Sequence, residues 1–482
     1  MSHLLSMRNV LERLVADGHH AVVPLDRYWI DDFDYGRKIE VRYIDLVGVG
    51  NPMKEPGIAD MIWRHEANVL IMGFAWQLNA ANTIKLLQDQ RAELDDALRV
   101  NGTWDMIVLD SLFCPLGHTL ARGLGLPHVV YHTTFFDAPI AAWYLALHWP
   151  TFIGTPPTFM KHNALGWHPS NFLDRWTTFV EVAQYVALYE VSISRVINEA
   201  FDLYGVGDDR DMGDFYRRTS LHLVDYPYQL AWPVPLVNDV VELGPTCAKF
   251  ENAPLPDAKM DTFVNDPQSK GTILVAFGTA VQFGALPDDI YQSLARLILH
   301  PSLSDYRIIW ANSQDTQEMP PHVLTARWLP QREILGHNKT VLFISHGGIK
   351  SYKEALCSAT PTVFMAIFAE QVLNAYNGVR KGWAAYLNKF ELADTQKSIG
   401  VVKAALERVD SLKERATRLR DSWTDGIIAP LDLASFRVRQ LLERKDGRMP
   451  EKYFYRRLKG SADYLCAMAA GSVALLLLFT LE

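Results

Sequence analysis

Seven prolines fall between residues 226 and 270: Pro227, Pro233, Pro235, Pro245, Pro254, Pro256 and Pro267. That density interrupts regular structure and reads as a linker. On both sides of it, short apolar runs alternate with stretches of helical periodicity, the pattern of a sheet whose strands are joined by crossover helices. Before the linker the expected strands are residues 21–25, 69–73, 106–109 and 129–132, with a helix over 82–98. After it they are 272–277, 307–310, 341–345 and 362–365. A chain of 482 residues is too long for one compact core. The reading is therefore an α/β protein of two domains, residues 1–235 and 236–430, followed by a charged helical segment over 431–460 that runs back across the domains.

The two ends add different signals. Met7, Val10, Leu11, Leu14 and Val15 recur at helical spacing before Gly18, so the chain opens on an amphipathic helix with no secretory signal pattern ahead of it. Within residues 463–481, positions 465–481 form an uncharged, mostly aliphatic run, and Arg456, Arg457 and Lys459 precede it. A buried terminal helix keeps a polar face and this run has none, so it reads as a transmembrane helix, near the length of about 20 residues that crosses a bilayer. The net charge of −8, without a basic block, excludes a nucleic-acid partner. Cys114, Cys247, Cys357 and Cys466 have no C-x-x-C spacing and point to neither a disulfide framework nor a zinc site. The histidines lack metal-ligand spacing, and no metal is expected. The aromatic cluster over 140–230 (Trp143, Tyr144, Trp149, Phe152, Phe159, Trp167, Phe172, Trp176) fits core, an apolar acceptor pocket and a membrane-facing surface alike.

Chemistry concentrates after the linker. Residues 341–348 read Val-Leu-Phe-Ile-Ser-His-Gly-Gly, a buried strand ending in a glycine turn before a helix. Free backbone N–H groups and a positive helix end favour a phosphate there, and His346 adds a donor. By itself such a turn is an ordinary strand-to-helix connection. Its neighbours carry the argument: Trp328 offers a face for a flat base, Glu354 a carboxylate for ribose hydroxyls, and Glu370 with Gln371 a carboxylate–amide pair for a sugar.

Trp328-x-x-Gln331, then Ser345-His346-Gly347-Gly348-x-x-Ser351-x-x-Glu354-Ala355, then Pro361 and Glu370-Gln371-x-x-Asn374 resembles the signature of the UDP-glycosyltransferase family, which includes the membrane-bound UDP-glucuronosyltransferases. Ser2-His3, Gly18-His19, Trp104-Asp105-x-x-x-x-Asp110, Leu243-Gly244-Pro245 and Val275-Ala-Phe-Gly-Thr279 extend the likeness along the chain. The resemblance implies two facing Rossmann-like domains of GT-B type with a C-terminal membrane helix. It implies Trp328 on uracil, Gln331 near base and ribose, and Glu354 on the ribose. Thr279 and His346 would meet the diphosphate with backbone from Gly347, Gly348 and Ser351, and Glu370 and Gln371 would hold the sugar. His3 would be the base and Asp110 its partner, in a metal-independent inverting transfer to a small lipophilic hydroxyl acceptor. The UDP-sugar is a co-substrate, and no cofactor is implied. A body in the endoplasmic reticulum lumen, with a homo- or hetero-oligomeric state left open, completes the expectation.

Lys350 replaces an asparagine and Glu370 an aspartate of the usual pattern. The family's chains also begin with a signal peptide and a strand leading into the Ser-His turn. Relative to them this sequence reads as short at its start and lacking the basic tail beyond its apolar run, and weak turnover is expected from a His3 without that strand. The other reading is a catalytically impaired UDP-sugar-binding relative or a regulatory partner of active members. A metal-dependent transferase is set aside: its candidate, Asp209-Arg210-Asp211, lies in an acidic stretch that reads as a solvated loop.

Overall fold

The computed structural model describes residues 2–26, 39–44, 56–98, 104–112, 114–134, 154–188, 193–207, 215–216, 218–227, 229–232, 239–244, 247, 254–278, 286–312 and 319–444. Thr279, Asp209 to Asp211, the early aromatics Trp143 to Phe152 and the apolar run 463–481 lie outside these residues. Among the described residues no helix is long and apolar enough to cross a membrane.

The first half runs α1 (Ser2–Ala16), β1 (Val22–Asp26), β2 (Glu40–Ile44), α2 (Pro56–Arg64), α3 (Val69–Asp89), α4 (Arg91–Ala97), β3 (Ile107–Asp110), α5 (Pro115–Gly123), β4 (His128–His132), α6 (Phe172–Ala187), α7 (Ser194–Tyr204), β5 (Leu221–Val224) and β6 (Val240–Glu242). Strands β3-β4-β5-β6 form a parallel sheet, and β1 pairs with β2 in a separate two-stranded one. Alternation along the strands sorts the core. Val129, Tyr131, Leu221, Leu223 and Val241 pack on one face with Met7, Val10, Leu11 and Leu14 of α1. Val130, Val224 and Val240 turn to the opposite face with Phe201 of α7. The expected amphipathic helix is thus α1, and Gly18 closes it at φ +96°, a conformation glycine adopts without strain.

The second half runs α8 (Ala258–Val264), β7 (Thr272–Ala276), α9 (Asp288–Ile298), β8 (Arg307–Ala311), β9 (Val323–Ala326), α10 (Gln331–Gly336), β10 (Thr340–Ser345), α11 (Ile349–Cys357), β11 (Thr362–Phe364), α12 (Gln371–Arg380), β12 (Ala384–Tyr386), α13 (Thr395–Glu407), α14 (Val409–Thr424) and α15 (Pro430–Leu442). Its six strands are parallel in the order β12-β11-β10-β7-β8-β9. Leu274, Ile309, Phe343 and Phe364 face Tyr352 and Ala355 of α11. Ile273, Val275, Trp310, Leu342 and Val363 face Leu294 of α9 and Ile399 and Val402 of α13. α15 returns to the first domain, where Ala434, Val438 and Leu441 join the core of α1.

Three expectations are corrected. Residues 69–73 are the first turn of α3 rather than a strand, because Asn68 caps it by accepting from Leu70 and Ile71 N–H at 3.0 and 3.2 Å. The helix expected over 82–98 is the end of α3 and then α4, broken at Gln90. The cysteines do pair: Cys247 and Cys357 form a disulfide across 110 residues of sequence, leaving Cys114 free among the described residues. No short spacing could reveal a bond that only the tertiary fold brings together. β6, which pairs with β5, also carries the first domain's sheet past residue 235.

Buried polar ties hold the domains together. Lys389 Nζ donates to the carbonyls of Ile62 at 2.6 Å, His65 at 2.8 Å and Ile367 at 2.6 Å, so one side chain spans α2 and the second sheet. Lys353 of α11 pairs with Asp225, which follows β5. Tyr376 donates to the Trp167 carbonyl at 2.8 Å and Asn377 to the Tyr226 hydroxyl at 3.1 Å. Buried donors and acceptors that satisfy each other in this way are costly to separate.

Candidate active site

His3 occupies the first turn of α1, and its Nδ1 lies 2.6 Å from Asp110 Oδ2 at the end of β3. Thr133, just past β4, donates its hydroxyl to Asp110 Oδ1 at 3.0 Å and stands 2.9 Å from His3 Nδ1. The Leu112 N–H also donates to Asp110 Oδ1, at 3.0 Å. The carboxylate is fixed by groups from two strand ends, and the imidazole is fixed by the carboxylate. With Nδ1–H directed at Asp110, Nε2 keeps its lone pair. The packing of α1 through Met7 and Val10 sets the helix that carries the ring.

His346 follows β10 and is 7% exposed. Burial lowers its imidazole to about 4, so the ring is neutral at neutral pH. Its Nδ1 is buried without a partner. The ring lies in a slot that glycine alone leaves open. A Cβ on Gly348 would stand 2.5 Å from His346 Nε2, and one on Gly278 would stand 2.8 Å from it. Gly347 turns at φ +82°; its N–H donates to Ser345 Oγ at 3.2 Å and its carbonyl accepts from Asn374 Nδ2 at 2.8 Å. The turn is therefore held from both sides while α11 begins at Ile349.

Gln331, the first residue of α10, gives its amide to Glu354 Oε2 at 2.6 Å and approaches Ser351 Oγ at 3.1 Å. Burial raises the Glu354 carboxyl, and the Gln331 amide opposes that shift. Trp328 is 77% exposed, an indole face with no core role. Gln371 spends its side-chain oxygen on the N–H groups of Ile367 and Phe368, at 2.9 and 3.1 Å, which shapes the turn before α12 and leaves its NH2 available. Glu370 is 6% exposed; burial raises its carboxyl, and it lies within electrostatic reach of both His3 and Lys350. Lys350 sits in the first turn of α11, where burial lowers its amine to about 8 against the pull of Asp225, Asp110 and Glu370. A cation at the positive end of a helix is unfavourable unless a negative group joins it.

The fold thus gathers His3, Asp110, Glu370 and Lys350 from opposite domains. It groups Gln331, Ser351 and Glu354 on one side of α11, and His346, Gly347 and Gly348 at its start. Thr133 and the Lys353–Asp225 pair carry no local sequence signature. Asn374 belongs to the motif, but its bond to the Gly347 carbonyl is visible only in the structure. Between α1 and α11 lies a cleft of about 390 Å3, lined in part by Ser6, Asn9, Arg332, Lys350 and Glu354.

The family model for UDP-glucoronosyl and UDP-glucosyl transferase matches residues 97–449. The chain belongs to this family. A UDP-glucuronosyltransferase of Pleuronectes platessa is 31% identical over 246 residues, half of each chain. The human UDP-glucuronosyltransferase 1A6 is 25% identical over 467 residues, covering 92% of this chain and 81% of that protein. The crystal structure of Os79 from O. sativa in complex with UDP has a TM-score of 0.58 at 16% identity, over 90% of this chain and 97% of the other. The two parallel sheets and these likenesses give the chain the GT-B glycosyltransferase fold.

Proposed function

We propose that this UDP-glycosyltransferase moves glucuronate or glucose from its UDP-sugar to a hydroxyl of a small lipophilic acceptor, with inversion and without a metal. The observation that carries the reading is the His3–Asp110 pair, at 2.6 Å, with Glu370 and Lys350 of the second domain within its electrostatic reach. His3 Nε2 takes the acceptor proton as the oxygen attacks the anomeric carbon. The bond from that carbon to the phosphate oxygen breaks, and UDP leaves with its electron pair. Attack from the face opposite the leaving group turns an α-linked donor into a β-glycoside. Asp110 stabilises the imidazolium. Neutral His346, the N–H groups at the start of α11 and the Lys350 cation meet the charge that develops on the diphosphate. Trp328, Gln331, Glu354 and Ser351 would hold the uridine, and Glu370 with the NH2 of Gln371 the sugar.

The UDP bound to the O. sativa relative supports the nucleotide. The disulfide Cys247–Cys357 supports an oxidising compartment, in keeping with a luminal body anchored by residues 463–481 in the endoplasmic reticulum membrane. The test is UDP release from UDP-glucuronate, UDP-glucose and UDP-N-acetylglucosamine with a phenolic acceptor and excess chelator, with the product's anomer read by NMR. Turnover of one of the first two donors to a β-product, abolished by His3→Ala, is expected. Unchanged turnover in His3→Ala would overturn the mechanism.

A further inference from the structure

Transfer requires a base on one domain and a leaving group on the other, so the step is sensitive to their spacing. A misplacement of about 1 Å costs on the order of a hundredfold in rate. The helix that sets this spacing is α11. Its first turns carry the diphosphate end of the site, and Ser351 and Glu354 follow along it. Lys350, Lys353, Glu354 and Cys357 recur at helical spacing and line the cleft that faces α1. Two of these four residues are bonded outside the donor domain's sheet. Lys353, nine-tenths buried, pairs with Asp225. Cys357, the last residue of α11, is bonded to Cys247, just past β6 where the chain leaves the first sheet. From Asp225 the path to the base is short. Its N–H donates to the His132 carbonyl at 2.9 Å, the next residue is Thr133, and the Thr133 hydroxyl touches both Asp110 and His3.

We propose that the Cys247–Cys357 disulfide and the Lys353–Asp225 pair form a two-point clamp that positions α11 against the first domain, and that opening it slows glycosyl transfer without weakening UDP binding. This rests on the transferase reading above. The groups that would contact UDP belong to the second domain and stay together when the clamp opens, whereas the distance from that domain to His3 does not. A dithiol opens the bond by delivering two electrons and two protons, leaving two thiols and its own cyclic disulfide. The cysteines and Lys353 are positioning residues that act through α11.

The experiment measures kcat with the working donor, and Kd for UDP by calorimetry, on the full chain before and after dithiothreitol and again after reoxidation. Cys247→Ser and Lys353→Met are measured beside it, the second with its disulfide intact, and each is checked for a cooperative melt. Expected are a UDP Kd within about twofold throughout, a kcat lowered roughly ten- to hundredfold by reduction or by either substitution, and recovery on reoxidation. A reduced protein that turns over at the oxidised rate overturns the clamp. So does a loss of UDP affinity in step with kcat, which marks a purely structural bond. An oxidised protein that binds no UDP refutes the transferase reading instead.

Discussion

Acid should unfold this protein well above the range in which ordinary carboxylates titrate. His118, His128, His132 and His346 are each less than a tenth exposed. Burial lowers His118, His128 and His346 to about 4, and His132 to about 3. His118 sits between the Cys114 carbonyl and the Tyr216 hydroxyl, and His132 bonds His222 ring to ring at 3.0 Å. None of the four accepts a proton readily in the fold, whereas an unfolded histidine takes one near 6.5. Between those values the unfolded chain binds more protons, so the stability these groups contribute is fully present above about pH 6.5 and is lost as pH falls toward 4. At pH 5 each favours unfolding by about 2 kcal/mol, and the four together by roughly 8 kcal/mol, within the usual total of about 5–15 kcal/mol. Glu354 and Glu370, whose carboxyls burial raises, offset part of this. Urea midpoints followed by circular dichroism at pH 7.5, 6.5, 5.5 and 5.0 test the reasoning. The midpoint should slip slightly between the first two and fall steeply below, and His132→Gln should flatten the fall by up to one proton per molecule. Equal midpoints at pH 7.5 and 5.0 would refute it.

Three other outcomes follow from the site. Trp328→Ala should leave melting unchanged, since the ring is 77% exposed, yet weaken UDP by about 1–3 kcal/mol, the worth of one stacked base; calorimetry reads both. Gly348→Ala places a methyl 2.5 Å from His346 Nε2, so UDP affinity should drop at least about tenfold while uridine affinity holds. Lys350 has its amine at about 8, so UDP binding should weaken as pH rises from 7 to 9 and the cation is lost; Lys350→Asn should flatten that profile.

Much of the second domain was legible because its strands are buried on both faces and read as continuous apolar runs, as in Val341 to Ile344. The same property misled at residues 69–73, where an apolar run is equally the start of a buried helix, and the deciding signal was the single Asn68 cap. Strands β6, β11 and β12 have three residues each, and only β11 lies between turn signals strong enough to show it. The motif residues His346, Gly347, Gly348 and Glu354 were readable because local spacing places them on one turn and the helix that follows it, and Gln331 because it opens the helix before β10. The Thr133–His3 contact, the Asp225–Lys353 pair and the Cys247–Cys357 bond were not, because they join residues more than a hundred positions apart that only the assembled sheets bring level.

The shared core of α1 and α15 has a consequence for how the protein is made. The apolar stripe Met7, Val10, Leu11 and Leu14 is covered partly by Ala434, Val438 and Leu441, which the ribosome adds only after the entire second domain. At roughly 5–20 residues per second that delay is on the order of ten seconds or more. The first domain emerges first but cannot finish first, and a nascent chain stalled before Pro430 presents an open apolar surface on the domain that carries His3. Exchanging first domains between relatives therefore means carrying α15 with α1, two pieces from opposite ends of the message that fold as one.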